Sequence, residues 1–272
     1  MVLRMSHRPD LDHLLDIALA CIEAGGPAAL THFRERDLFV DNKAESGFDP
    51  VTAADRAVEA AMRHILAQHR PDDAVLGEEE APTTGRSGLT WVLDPIDGTR
   101  AFLCGAPTWG ILVAVNDGAA PLLGIIDQPF TGERFIGVPS RAEAIWQRGE
   151  ARRRLAVRRC PSLASATLMT TAPDLGSAAE QAGFANVARQ TRLVRYGMDC
   201  YADARVAMGC IDLVVEAGLK AFDIQGHMAV IEAAGGIVTD WAGGPAYPGG
   251  RVLAAGDSRV HAEALELLSQ VA

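Results

Sequence analysis

The stretch of sequence that decides the fold is Trp91-Val92-Leu93-Asp94-Pro95-Ile96-Asp97-Gly98-Thr99. It predicts a strand over Thr90–Leu93 that leads directly into two carboxylates three positions apart. The proline ends strand pairing, and the glycine lets the backbone come close to a ligand. Asp94, Asp97 and the Ile96 carbonyl would then offer a hard divalent cation such as Mg²⁺ the oxygen ligands that it prefers. An Asp-x-x-Asp pair taken alone is more often a turn in which Asp side chains accept hydrogen bonds from their own backbone.

Three further acidic segments also have two explanations each. Gly77-Glu78-Glu79-Glu80 follows an apolar run, and its three adjacent carboxylates repel one another unless water or a cation offsets their charge. Asp55 fits a capping box with Thr52 at the start of a helix. Asp223 fits the N-cap of a helix predicted over Ile224–Ala234. Local structure explains each segment taken singly, but their order along the chain favours a shared metal site.

Length and charge limit the kinds of fold and partner. The 272 residues amount to between one and two domains at about 150 residues each, and 49% are hydrophobic, enough for a sizeable core. Acidic residues outnumber basic ones by 35 to 25, giving a net charge of -10, which argues against a general nucleic-acid binder because such a protein needs a positive face. A small anionic substrate is still compatible with this charge, because a bound metal ion reverses the local sign.

The cysteines and the apolar segments indicate a soluble protein. Five cysteines without a Cys-x-x-Cys pair argue against a disulfide framework or a zinc knuckle. The N-terminal residues lack the apolar core of a signal peptide. The longest uncharged stretch, 101–116, contains Gly105 and Pro107 and is shorter than the roughly 18 apolar residues of a membrane span. We therefore expect a cytoplasmic protein with no membrane contact.

The hydrophobic pattern changes near residue 155. Before it, the pattern predicts helices over Leu11–Ala24 and Ala53–Gln68, strands over Thr90–Leu93, Gly110–Val115, Leu122–Asp127 and Glu133–Val138, and a hairpin over Ile145–Val157. After it, the pattern predicts strands over Thr167–Thr171, Arg192–Arg195, Leu213–Glu216 and Val252–Ala255, and helices over Gly176–Gly183, Cys200–Met208, Ile224–Ala234 and Arg259–Gln270. We predict an α+β half over residues 1–155 and an α/β half over residues 156–272, together forming one compact unit.

Four motifs in this order resemble the inositol monophosphatase family of magnesium-dependent, lithium-sensitive phosphatases. They are Pro50-Val51-Thr52-Ala53-Ala54-Asp55, Gly77-Glu78-Glu79, Asp94-Pro95-Ile96-Asp97-Gly98-Thr99, and Phe222-Asp223 followed by Glu232-Ala233-Ala234-Gly235-Gly236. The resemblance covers about residues 40–240, and it departs at Phe222, where the family often has tryptophan. It implies a layered α-β-α-β-α sandwich and a homodimer.

The resemblance also implies a set of metal ligands. Glu78, Asp94 and the Ile96 carbonyl resemble the ligands of a first Mg²⁺ ion. Asp94, Asp97 and Asp223 resemble those of a second, and Glu78 resembles a ligand of a weaker third ion. In this interpretation the ions neutralise a phosphate monoester and activate a water molecule.

Further residues resemble the family's catalytic groups. Asp55 corresponds to the carboxylate that bonds a threonine, here Thr99, and this pair would act with Glu78 to orient and deprotonate the water. Backbone N–H groups of Gly98 and Thr99 would hold phosphate oxygens. Lys43 lies near the family's lysine that contacts metal-bound waters, although the chain is longer between it and the Pro-Val-Thr motif.

The organic part of the substrate is expected to contact the second half. In the family a Gly-x-x segment and a glutamate seven positions before the last aspartate make these contacts, here Gly197 and Glu216. Asp199 stands where sugar and inositol phosphatases have a small residue, and it favours a cationic substrate because a buried unpaired charge is costly. Asp97, Asp199 and Glu216 would receive the ammonium and imidazole groups of histidinol phosphate, and Lys220 would assist at the phosphate.

The sequence around the site also resembles the histidinol-phosphatase branch of the family. The segments concerned are Asp41-Asn42-Lys43-Ala44-Glu45, Thr108-Trp109-Gly110 and Gly218-Leu219-Lys220-Ala221-Phe222-Asp223. Inositol 1-phosphate or another sugar phosphate is the alternative substrate. A nucleotide 3′-phosphate or fructose bisphosphate is less favoured, because no extra basic cluster lies near the motifs.

Two features retain a different interpretation. Asp199 would also serve as the N-cap of the helix predicted from Cys200. Some members of the superfamily bind the transcription machinery, and the basic run Arg152–Arg154 with Arg158 and Arg159 is a candidate surface, although a solvated hairpin edge is the simpler explanation. Cys200 and Cys210 are predicted to be small buried residues and not nucleophiles.

Overall fold

The computed structural model of the chain describes residues 9–36, 40–42, 50–174 and 176–271. Lys43, which sequence comparison placed in the catalytic set, lies outside these residues. The first half contains helices α1 (Leu11–His32), α2 (Ala53–His69) and α3 (Thr99–Leu103), with strands β1 (Val40–Asn42), β2 (Pro50–Thr52), β3 (Ala74–Gly77), β4 (Thr90–Asp97), β5 (Gly110–Asn116), β6 (Pro121–Gln128), β7 (Glu133–Val138), β8 (Glu143–Arg148) and β9 (Ala151–Arg154). The second half contains strands β10 (Thr167–Thr170), β11 (Leu193–Tyr196), β12 (Leu213–Lys220), β13 (Ile237–Asp240) and β14 (Gly249–Ala255), with helices α4 (Ala178–Ala188), α5 (Cys200–Ala207), α6 (Ala221–Ala233) and α7 (Ser258–Leu268).

Two sheets organise the described chain, apart from the short β1–β2 ribbon. Strands β3 to β9 form a seven-stranded sheet in sequence order, in which β3 and β4 are parallel and the other neighbours are antiparallel. The second sheet has the order β11-β10-β12-β14-β13, and β10 is parallel to both of its neighbours. The seven-stranded sheet lies before residue 155 and the five-stranded sheet after it, and the division into two halves of one compact unit stays a prediction.

Three apolar clusters show how the layers stack. The first joins α1 and α2 to one face of the seven-stranded sheet. The second contains α5 and α6 together with inward side chains of both sheets, such as Leu112, Phe135, Val214 and Val252. The third joins α4 and α7 to the outer face of the five-stranded sheet. This arrangement is an α-β-α-β-α sandwich, so the predicted fold class is confirmed.

Helix α1 extends eight residues beyond its predicted end at Ala24. Gly25 does not end it, because the glycine lies where α1 approaches α2, and an added Cβ would come 3.1 Å from Val58 Cγ1. By length and composition α1 is apolar enough to cross a membrane. Its buried face, which includes Leu14, Ile17 and Ile22, packs in the first apolar cluster, as in the core helix of a soluble protein.

Glycine also misled the prediction of α4, which was expected to end at Gly183 and continues to Ala188. Here glycine provides space for close packing, since a Cβ would lie 2.5 Å from Val271 Cγ2 and 3.2 Å from Trp241. The elements that were not predicted are all short: strands β1, β2, β3 and β13 and helix α3, of three to five residues each. The other predicted elements appear with ends within a few residues of those expected.

The basic run divides into two chemically different parts. Arg152–Arg154 form the exposed edge strand β9, and the Arg153 guanidinium lies over the Trp146 ring. Arg158 instead forms an ion pair with the buried Asp212 carboxylate, at 2.7 Å from Nε to Oδ1. Charged side chains on an edge strand also prevent pairing with other chains, so the solvated hairpin edge remains the simpler explanation.

Candidate active site

The carboxylates after the decisive strand converge because β4 is irregular. β4 continues to Asp97 instead of ending at Leu93, and its register with β5 shifts between Asp94 and Asp97. Pro95 falls within this shift and therefore interrupts no regular pairing. In a regular strand, residues three apart face opposite sides. The irregularity turns the two aspartates toward one place, which is a common use of bulges near active sites.

A third carboxylate completes this cluster from the other side of the fold. Ligand oxygens of Asp94, Asp97 and Asp223 all lie within 4.8 Å of one another. Asp223 was predicted to be an N-cap but lies three residues inside α6, because that helix begins at Ala221. Its Oδ2 accepts the Lys220 backbone N–H at 2.6 Å. The Lys220 side chain is exposed, and its predicted contact with substrate phosphate stays a prediction.

The electrostatics of the cluster favour a bound cation. Burial raises the pKa of Asp94 well above its usual value, and the charges of Glu78, Asp97, Asp223 and Asp55 raise it further. Burial followed by the charge of Asp199 raises the pKa of Asp97, while the Cys200 N–H opposes this rise. Asp94 Oδ1 is buried without a hydrogen-bond partner. An all-oxygen, negatively charged set with an open buried oxygen fits a hard divalent ion such as Mg²⁺.

Glu78 lies beside the cluster because of strand pairing. β3 is parallel to β4 with Gly77 opposite Leu93, so the next residues along the two strands are Glu78 and Asp94. The charge of Glu78 contributes to the raised pKa of Asp94. Glu78 is outside the three-carboxylate cluster found among the described residues, and its predicted ligand role is compatible with this neighbouring position.

Asp55 makes both contacts that the sequence allowed. Its Oδ2 accepts the Thr52 backbone N–H at 2.7 Å and the Thr52 hydroxyl at 2.6 Å, which completes the capping box of α2. Its Oδ1 accepts from Thr99 Oγ1 at 3.4 Å, and the same hydroxyl lies 3.1 Å from the Ile96 carbonyl oxygen. Helix capping and contact with Thr99 therefore use different oxygens of one buried carboxylate.

Asp199 is placed against the same loop from the second half. Gly98 has a φ of 82°, and a Cβ on it would lie 2.8 Å from Asp199 Cβ. Asp199 itself has a φ of 45°, which is unusual for a residue with a side chain. It occupies the N-cap position of α5, as the alternative interpretation predicted, but its carboxylate makes no capping bond and accepts instead from the Thr108 hydroxyl at 2.9 Å. The next N–H, from Cys200, donates to Asp97 Oδ2 at 2.6 Å.

The predicted contact residues Glu216 and Gly197 lie on either side of β10. Glu216, on β12, is 7% exposed and accepts the Thr171 N–H at 2.6 Å through Oε1, whereas Oε2 is buried without a partner. Burial raises the pKa of Glu216 to about 7, and the charge of Asp199 adds to this effect. Gly197 follows β11 with a φ of 74°, and its N–H donates to the carbonyls of Thr170 and Thr171.

Sequence reasoning missed several polar groups around these residues. Thr108 was noted only as part of a motif, and no local signal links it to Asp199. The Arg100 charge opposes the rise in the pKa of Asp199 that burial causes. Asp203 lies in the first turn of α5 and is buried. Its buried carboxylate lies 3.4 Å from Nδ1 of His227, whose pKa burial lowers to about 3.

The two cysteines of this region differ. Cys200 is buried, as predicted, and burial and the neighbouring carboxylates raise the pKa of its thiol well above the usual value. Cys210 is exposed, so the prediction that it is buried is wrong. It lies just beyond the end of α5, where the chain turns toward β12.

Comparison with known proteins identifies the lineage of this site. The sequence profile of the inositol monophosphatase family matches residues 10–272. The bifunctional phosphatase IMPL2 of Arabidopsis thaliana is 38% identical over 95% of this chain and 76% of its own. The histidinol-phosphatase of Streptomyces coelicolor is 31% identical over 95% of this chain and 98% of its own. The structure of an inositol monophosphatase from Zymomonas mobilis superposes with a TM-score of 0.84 at 36% identity, covering 96% of this chain and 99% of that one.

Shared descent and the present geometry lead to the same assignment. The match extends over nearly the whole chain, including the ordered motifs that carry Asp55, Glu78, Asp94 and Asp223. The acidic cluster that these motifs build has the donor chemistry expected of a magnesium-dependent phosphatase family. The chain belongs to the inositol monophosphatase family and is a phosphatase.

Proposed function

We propose that this phosphatase hydrolyses L-histidinol phosphate to L-histidinol and phosphate, a step of histidine biosynthesis. The observation that carries the proposal is the position of Asp199, whose half-buried carboxylate packs on Gly98 and is held by Thr108. Glu216 adds a carboxylate that is buried and has one open oxygen. The charge of Arg100 opposes only part of the effect of burial on Asp199. Carboxylates whose charge is incompletely compensated favour a ligand that brings positive charge, and histidinol phosphate brings an ammonium and an imidazole.

The names of related proteins support this substrate. Histidinol-phosphatase is the name of the Streptomyces relative, which spans almost the same length as this chain. The Zymomonas structure, at 36% identity, carries the name inositol monophosphatase, so inositol 1-phosphate or another sugar phosphate is the second candidate. Asp199 disfavours it, since a neutral polyol would bring no positive charge to a carboxylate that Arg100 compensates only in part.

The residues have distinct parts in the proposed mechanism. Two Mg²⁺ ions would be held by Asp94, Asp97 and Asp223, with Glu78 beside them. A third, more weakly bound ion would be held at Glu78. When bound, Mg²⁺ supplies positive charge that offsets the phosphate dianion and stabilises the leaving oxygen. Backbone N–H groups of Gly98 and Thr99 would orient phosphate oxygens where the loop turns into α3.

The proton of the attacking water would leave through a threonine and an aspartate. Thr99 Oγ1 is placed to accept that proton while it gives its own to Asp55 Oδ1. The capping bonds from Thr52 hold the Asp55 carboxylate in place during this transfer. Lys43 is proposed to contact metal-bound waters. No covalent intermediate on the protein is required.

A phosphate-release panel in Mg²⁺ tests the substrate. It compares histidinol phosphate, inositol 1-phosphate and adenosine 3′-phosphate for the wild type, Asp199→Asn and Asp117→Asn. We expect histidinol phosphate to give the highest kcat/KM, and Asp199→Asn to lower it by about 10- to 100-fold, as loss of a buried charge contact does. Asp117, in the exposed turn at the far end of β5, is the matched control and should change nothing.

Two outcomes of this panel would contradict the proposal. One is a clear preference for inositol 1-phosphate by the wild type. The other is an Asp199→Asn variant that keeps its full kcat/KM for histidinol phosphate. The predicted homodimer and cytoplasmic location are separate proposals and do not affect this experiment.

A further inference from the structure

Glu59 is a buried carboxylate that no sequence motif singled out. It lies on α2 and is 0% exposed. Its Oε2 accepts the backbone N–H of Glu79 at 2.7 Å, and its Oε1 accepts the backbone N–H of Glu80 at 3.1 Å. Arg63, one helical turn further along α2, donates from Nε to Oε1 at 2.8 Å. The Glu59 carboxylate therefore binds the segment that follows Glu78 and carries its own counter-ion.

The residue before Glu78 is shaped by the same carboxylate. Gly77 ends β3, and a Cβ on it would lie 2.0 Å from Glu59 Oε1. Real Cβ atoms do not approach other atoms so closely, so the carboxylate occupies the space that a side chain at 77 would need. Pairing with Leu93 fixes Gly77 on its other side. Both flanks of Glu78 are thus set by contacts with Glu59 and with β4.

We propose that Glu59 is a positioning residue that holds Glu78 beside the acidic cluster. Glu78 and Asp94 repel each other in the free protein, and an exposed turn would relax by moving them apart. Two hydrogen bonds from backbone N–H groups to a charged acceptor oppose that movement, because bonds to ions are stronger than neutral ones. Arg63, 13% exposed at its side chain, balances the Glu59 charge so that no net negative charge is added near the cluster.

This inference rests on the proposed role of Glu78 as a magnesium ligand, and it holds for any phosphate ester. The property that a change at Glu59 should alter is the affinity for Mg²⁺. When Glu59 is replaced by glutamine, one of its acceptor oxygens becomes an NH₂ group. One of the two backbone N–H groups of the turn then faces a donor instead of an acceptor, so the turn that carries Glu78 must shift. Partners that orient metal ligands typically contribute 10- to 100-fold in metal affinity.

The test measures Mg²⁺ binding by isothermal titration calorimetry, without substrate, on folded variants. Glu59→Gln and Gly77→Ala should each raise the dissociation constant for Mg²⁺ by about 10- to 100-fold. In activity assays the half-saturating Mg²⁺ concentration should rise in parallel, and kcat should approach the wild-type value at saturating Mg²⁺. Asp212→Asn is the matched control, because Asp212 is also buried, binds an arginine and accepts a backbone N–H, that of Thr167. It should lose stability but keep its Mg²⁺ affinity.

A double-mutant cycle separates the clash from the lost hydrogen bonds. The Gly77→Ala change should add little to Glu59→Ala, since the carboxylate that it would meet is already gone. Full additivity of the two changes would contradict the proposed contact.

The remaining outcomes also decide the question. A folded Glu59→Gln variant with wild-type Mg²⁺ affinity, while Glu78→Gln binds Mg²⁺ weakly, would refute the positioning role alone. Wild-type affinity in Glu78→Gln would refute the ligand role and this inference together. Where neither Glu59→Gln nor Gly77→Ala folds, hydrogen exchange of the wild type decides. Slow exchange at the Glu79 and Glu80 amides supports the proposal, and unprotected exchange at both overturns it.

Discussion

Glu216→Gln is expected to stabilise the free protein while impairing its proposed activity. Glu216 is buried on β12 with Oε2 unpartnered, and burial raises its pKa from 4.5 to about 7. Between these two pH values the folded state binds a proton that the unfolded state has released. Stability must therefore fall as the pH rises from 4.5 to 7, and the loss is complete above pH 7. An amide at this position never ionises and escapes that loss.

The size of the effect follows from the pKa shift. At about 1.4 kcal/mol per pH unit, a rise from 4.5 to about 7 lowers the free energy of unfolding by about 3 kcal/mol above pH 7. The glutamine Oε1 keeps the acceptor for the Thr171 N–H, but its Nε2 is a buried donor whose missing partner costs about 1–3 kcal/mol. That cost is the same at every pH. The stability difference between variant and wild type should therefore change by about 2–3 kcal/mol in favour of the variant from pH 5 to pH 8.

The assay is urea unfolding at pH 5 and pH 8, in EDTA and without substrate, followed by circular dichroism. Glu180→Gln is the control of opposite sign, because Arg251 and Ser177 lower the pKa of Glu180 to about 2. Both pH values lie above the folded and unfolded pKa of Glu180, so Glu180→Gln should be less stable than the wild type by nearly the same amount at both. A stability difference for Glu216→Gln that does not change between pH 5 and pH 8 would show that Glu216 is already charged, or free to become charged, in the folded protein.

The remaining predictions concern the metal cluster and the loop beside it. Asp94→Asn should abolish activity and remove most of the rise in melting temperature that ~10 mM Mg²⁺ gives the wild type, because an ion that binds only the folded state stabilises it by mass action. Thermal unfolding scans with and without Mg²⁺ check this. Gly98→Ala should lose activity and about 1–3 kcal/mol of stability, since its φ of 82° and the 2.8 Å approach to Asp199 exclude a side chain; equal activity in the phosphate-release assay would contradict the close contact. Thr108→Val should raise KM for histidinol phosphate several-fold with little change for a neutral phosphate ester, because it removes the 2.9 Å bond that orients Asp199; equal losses on both esters would assign Thr108 a structural role only.

The resemblance to the family predicted the fold class, and local chemistry predicted individual elements. Helix α2 begins at Ala53, as expected from the capping box of Thr52 and Asp55, and the strand before Asp94 is where its apolar run places it. The ends of the helices were predicted less well. Lys220-Ala221-Phe222 contains no residue that commonly starts a helix, so the beginning of α6 was assigned three residues late.

Contacts between distant parts of the chain could not be read from the sequence. The bond from Thr108 to Asp199 joins residues 91 positions apart, and the bond from Thr171 to Glu216 spans 45. No local pattern encodes either contact, because the first joins the segment before β5 to the start of α5 and the second joins the neighbouring strands β10 and β12. At Asp55 the two interpretations do not exclude each other, since a carboxylate has two oxygens: Oδ2 accepts from Thr52 and Oδ1 accepts from Thr99.

Hydrogen bonding separates the buried carboxylates of the scaffold from those of the site. Glu59 and Asp212 each accept backbone N–H groups and pair with an arginine, so their charge is compensated within the protein. Among the described residues, the carboxylate oxygens that are buried without any partner are Asp94 Oδ1 and Glu216 Oε2, one at the metal cluster and one in the proposed substrate pocket. A scaffold gains nothing from such an oxygen, because it carries the desolvation cost without a compensating bond. A ligand that brings positive charge converts that cost into binding free energy, which is why both oxygens are expected to be satisfied only in the loaded enzyme.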